Sequence, residues 1–151
     1  MVLDEGATVQ ECFPTKEDVE KFMVRLMKIE TCQHPYYGKY CIRMLRKFLS
    51  ADFELVNLMI ENGLMDFIPE VLEQKYNANL IIECICLIQD IIKGWPDLNG
   101  KEKSLSLSIL ETFHAKGFIL AIEDLQNRDE KEIFKKAEEF MKWVNEITDK
   151  N

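Results

Sequence analysis

A chain of 151 residues, 47% hydrophobic and 30% charged, has the composition of one folded globular domain and excludes an intrinsically disordered chain. A formal net charge of −8 argues against nucleic acid as the main partner, because phosphate binding wants clustered Lys and Arg. No apolar run reaches the roughly 18 residues that span a bilayer, so no membrane partner is expected.

Residues 1–14 lack the basic start and apolar core of a signal peptide and read as a loosely docked lead-in. Thr15 is placed to cap a helix, with Asp18 at the capping-box distance, and Phe22, Leu26 and Ile29 follow at helical spacing. The stretch ETCQHP breaks that helix. A second is expected over 35–50, with Tyr37, Cys41, Met44, Leu45 and Phe48 on its inner side. Asp52 caps the short segment FELVNLMIEN, which Gly63 stops as a left-handed C-cap. The helix over 64–73 contains Pro69, which at about 3 kcal/mol in a helix interior implies a later start or a kink. Residues 79–93 form a long apolar helix, expected to be the best-buried element. GWPDLNGKEK, rich in turn residues, reads as the one real loop, with Trp95 packing it down. Helices over 104–115, 118–125 and 131–147 complete the chain, with a stop at Gly117 and a tail over 149–151. No useful run of strict alternation occurs, so the expected class is all-α, with one helical domain over 15–148.

The five cysteines, Cys12, Cys32, Cys41, Cys84 and Cys86, are odd in number and sit in or beside apolar helical patterns. Reduced thiols in the cytoplasm or nucleus follow from that usage. Cys84 and Cys86 lack a second Cys/His pair nearby, so no metal and no cofactor is expected. His34 beside Cys32 or Cys41 is a local coincidence, since Cys41 occupies a packing position in its helix. With no Gly-rich phosphate loop, metal cluster or serine motif, no enzymatic activity is expected.

The long helices align on a small residue. From Cys41 to Cys84 the shift is about 43 residues, the length of a helical armadillo or HEAT unit. It pairs Tyr37 with Leu80, Met44 with Leu87, Leu45 with Ile88 and Phe48 with Ile91. Aligning Cys84 on Ala137 pairs Leu80 with Ile133, Ile81 with Phe134, Leu87 with Phe140, Ile88 with Met141 and Ile91 with Val144. The short helices agree too: Gly63 pairs with Gly117, Leu64 with Phe118, Ile68 with Ile122 and Val71 with Leu125. The longer second interval falls in the loop after residue 93, where insertion is thermodynamically cheap. Each unit is too small to bury its own apolar face, and stacking completes the core. An irregular helical bundle is the alternative.

NANLIIECICLIQDIIKG resembles the third helix of an armadillo repeat of importin-α, with its pattern E-A-A-W-A-x-S-N-I and a following Gly. Glu83 stands for the acid, Cys84 for the small residue, Ile91 for the apolar one and Gly94 for the stop. GFILAIEDLQNRDEKEIFKKAEEFMKWV resembles that family's final repeat, G-L-D-K-I-E-x-L-Q-x-H-E-N-x-x-I-Y-x-x-A. Gly117, Ile122, Glu123, Leu125, Gln126, Asn127, Ile133 and Ala137 fall on that pattern, with Phe134 in place of Tyr. The resemblance implies a short right-handed armadillo-type helical solenoid of about three repeats. It also implies a protein-binding role in nuclear transport, in the cytoplasm, the nucleus or both.

Importin-α grips basic localisation signals with a ladder of Trp and Asn on its third helices. The matching places here hold Arg43 and Lys47, then Cys86 and Asp90, then Glu139 and Trp143. Arg and Lys oppose a lysine-rich guest, and Cys86 offers no aromatic wall for cation–π contact. The basic segment that binds importin-β has no counterpart before Pro14. The chain is therefore similar to the C-terminal end of such an adaptor, or to a short divergent relative. In that family the last repeats contact the export receptor and folded or atypical cargo, which makes a transport receptor or folded cargo the expected partner. An armadillo-type co-chaperone or regulatory scaffold clasping a globular domain is the alternative, and a helical-bundle enzyme a third. Asp90 and Glu139 either read a basic partner or are solvated positions on amphipathic helices. Trp143, flanked on its face by Lys135, Glu139 and Lys142, is either an exposed anchor or a cap on the core.

Overall fold

The computed structural model describes residues 15–28, 38–74, 77–98 and 103–149, without the side chains of 95–98, 103–108 and 149. The lead-in over 1–14, the ETCQHP break, Cys12, Ile29, Cys32, His34, Tyr37 and the side chain of Trp95 lie outside the described residues. The elements are α1 (Lys16–Leu26), α2 (Gly38–Ala51), α3 (Leu55–Glu61), α4 (Leu64–Leu72), α5 (Ala78–Leu98), α6 (Lys103–Ala115), α7 (Phe118–Asp124) and α8 (Lys131–Asp149). A 3-10 turn, Leu125–Asn127, follows α7. Among the described residues there is no strand, and the class is all-α.

The polar punctuation of the sequence sets the helix starts. Thr15 Oγ1 accepts the Asp18 N–H at 3.1 Å, which satisfies one of the donors that the first turn of α1 leaves over. Asp52 Oδ1 accepts the Glu54 N–H at 3.1 Å and its carbonyl accepts the Leu55 N–H, also at 3.1 Å. This turn delays α3 to Leu55, later than a simple cap at Asp52 implies.

Gly63 (φ 104°) and Gly117 (φ 82°) both occupy the left-handed region. Each is the end of one short helix and the entry to the next. The Gly63 carbonyl accepts from Phe67 N–H at 3.0 Å and the Gly117 carbonyl from Ala121 N–H at 3.0 Å. A side chain at either position would meet nothing within 4 Å, so the demand for glycine is conformational and not steric.

Two expectations about breaks need correction. α4 starts at Leu64 and runs through Pro69, so the proline does not delay its start. It forfeits one backbone hydrogen bond, and the Glu73 N–H then bonds the Pro69 carbonyl at 3.1 Å. The second correction is larger. Gly94 does not stop the long helix, which continues to Leu98 and takes in the first half of the expected loop. Gly94 lies within the helix, and glycine is needed there because the Phe53 ring occupies the space that a Cβ would fill. Glycine here permits close approach, not a turn.

α5 lies at the centre of the packing. It contacts α2 on one side and α8 on another, and it also packs on α4 and α6. α1 packs on α2 and α3, while α7 joins α4, α6 and α8. Leu80, Ile81, Cys84, Ile85, Leu87, Ile88, Ile91 and Ile92 of α5 have no exposed surface, which explains its nearly unbroken apolar sequence. Fully burying each such aliphatic side chain stabilises by about 1.5–3 kcal/mol. The aligned small residues Cys41, Cys84 and Ala137 are all buried. Phe22 meets Phe48 edge-on at 5.9 Å, tying α1 to α2. Among the described residues no polar or charged side chain is buried.

Arg128 closes the lower end: one guanidinium nitrogen donates to the Gln74 carbonyl at 2.8 Å and another pairs with Glu130 at 3.0 Å. The turn before α8 is thereby fixed to the end of α4. One expected inner position fails. Phe134, aligned with the fully buried Ile81, is 41% exposed. Ile81 has helices on several sides, whereas among the described elements no helix follows α8 to cover Phe134.

Candidate functional site

The first turns of the site come from amphipathic spacing on α2. Met44, Leu45, Phe48 and Leu49 face the core, which leaves Arg43, Arg46 and Lys47 on the outer side. On α5 the same logic leaves Glu83, Asp90 and Lys93 toward solvent, two helical turns separating the carboxylates. Packing α2 on α5 brings the two polar edges together.

Glu83, whose side chain is 12% exposed, accepts Arg43 Nε at 2.7 Å and an Arg46 terminal nitrogen at 3.1 Å. Asp90 accepts Arg46 Nε at 2.7 Å. Arg46 thus bridges Glu83 and Asp90 of α5, a charge-assisted geometry that fixes its guanidinium plane. Burial acts to lower the Arg46 pKa, but hydrogen bonds to Asp90 and Glu83 and the charge of Asp90 outweigh it and raise the value. The Arg43 guanidinium also lies 5.5 Å from the Tyr40 ring centre, with Lys39 Nζ at 5.2 Å.

Above this network an open cleft of about 630 Å³ lies between α2 and α5, lined by Arg43, Arg46, Lys47, Phe53, Asp90 and Lys93 together with Leu49, Ser50 and Gly94. Three of the positions singled out from the sequence, Arg43, Lys47 and Asp90, therefore share one cleft. Arg46, Lys93 and Phe53 were not singled out. The i, i+3 step from Arg43 to Arg46 and the seven-residue step from Glu83 to Asp90 carry the signal, but only the packing of α2 on α5 reveals the pairing. Asp90 is neither an unopposed reader of a basic partner nor merely solvated: it is held by Arg46.

Cys86 is half-buried beside this network and is absent from the cleft lining. Its neighbour Cys84 is fully buried, and burial, reinforced by the nearby Cys86, pushes its thiol pKa far upward. That suits packing and opposes nucleophilic chemistry. Among the described residues no group of three or more His, Cys, Asp and Glu could hold a metal.

The remaining positions lie on α8. Lys135, Glu139 and Lys142 are exposed, while Trp143 is half-buried and packs against the core. Its ring centre is 5.9 Å from that of Phe140, and Lys93 Nζ sits 5.5 Å above it. Trp143 packs one face on the core and carries Lys93 over its ring. Lys93 contributes both to the cleft and to this contact, and so links the edge of the cleft to α8. No helix among the described residues is long and apolar enough to cross a membrane. No known protein family, curated protein or solved structure matches the chain.

Proposed function

We propose that the chain is a non-enzymatic protein-binding module, an armadillo-type stack of about three helical units related to the C-terminal part of the importin-α adaptor. The observation that carries this reading is the order α2–α5–α8. The three aligned long helices pack as neighbours, with α5 against both of the others; of the ladder-equivalent positions Arg43, Lys47 and Asp90 share the α2–α5 cleft, Cys86 lies outside its lining, and Trp143 meets Lys93 at its edge. A cleft that is open and lined by charged side chains suits a macromolecular partner. The partner is a folded cargo or a transport receptor, met in the cytoplasm or nucleus.

The test is direct binding of the purified chain to a purified export receptor, measured by interferometry beside a chaperone ATPase. Binding to the receptor, weakened in a Glu139→Lys, Lys142→Glu double variant of normal helicity, is the expected result. Binding to the chaperone alone selects the co-chaperone reading. A chain that engages neither, or whose engagement ignores these changes on α8, overturns the proposal.

A further inference from the structure

We draw no further inference here: the strongest candidate, the flank of α8 on which Phe134 is exposed beside the half-buried Met141, is an apolar face without a neighbour among the described residues, and nothing in the structure shows what covers it.

Discussion

Gly94→Ala tests the contact that carries α5 past its apparent stop. Replacing a helical glycine with alanine ordinarily stabilises by about 1 kcal/mol, because alanine loses less backbone freedom on folding. At Gly94 the new methyl group would run into the Phe53 ring. Overpacking of this kind costs about 1–3 kcal/mol, so the net expectation is destabilisation by roughly 1 kcal/mol. Phe53→Ala removes the obstacle. In that background Gly94→Ala should instead stabilise by about 0.5–1 kcal/mol, giving a coupling energy near 2 kcal/mol across the cycle. Urea denaturation followed by far-UV circular dichroism measures all four proteins at equal slope. If Gly94 were a left-handed helix stop, alanine would destabilise in both backgrounds with no coupling. That outcome, or stabilisation with Phe53 present, would refute the close approach of α3's entry to α5.

Gly63→Ala and Gly117→Ala should each destabilise by about 1–2 kcal/mol, measured by the same denaturation, since both force alanine into the left-handed region without any steric contact. Asn at either position should recover part of the loss. Cys84→Leu should cost about 1–3 kcal/mol by overpacking and Cys84→Lys more, by burying a charge; a change within about 0.5 kcal/mol would show that the site is not sealed. The native Cys84 thiol, buried and with its pKa raised, should escape maleimide labelling until the chain is unfolded, as followed by mass spectrometry. Glu83→Leu should destabilise by about 1–3 kcal/mol because it strips a partner from two arginines, whereas the more exposed Asp90→Asn should cost less than about 1 kcal/mol.

Periodicity makes most of the helices legible in the sequence alone. The apolar positions of α5 and the glycines at 63 and 117 carry local rules, a 3.6-residue stripe and a left-handed turn, that need no tertiary information. Gly94 was misread for the opposite reason. The same residue type serves a turn or a close contact, and only the position of Phe53, distant in sequence, decides between them. Phe134 was misread because alignment on Ile81 assumes equal surroundings, and an end helix has fewer neighbours than a middle one. Arg43, Lys47 and Asp90, singled out by the alignment of the long helices, share one cleft. Arg46 escaped because its role exists only once α2 lies against α5 and its guanidinium reaches two acids on another helix.

The central place of α5 has a consequence during synthesis. Its apolar surface is covered by α2 and α4, made before it, and by α6 and α8, made after it. While the ribosome is still producing the second half, α5 can be covered only in part, and Ile85, Leu87, Ile88 and Ile92 belong to a helix whose remaining cover is still untranslated. The nascent chain therefore passes through a stage that exposes a long aliphatic surface, the kind that chaperones recognise and that aggregates at high expression. Slower translation cannot shorten that stage, because the missing cover, α6 and α8, is made only after α5.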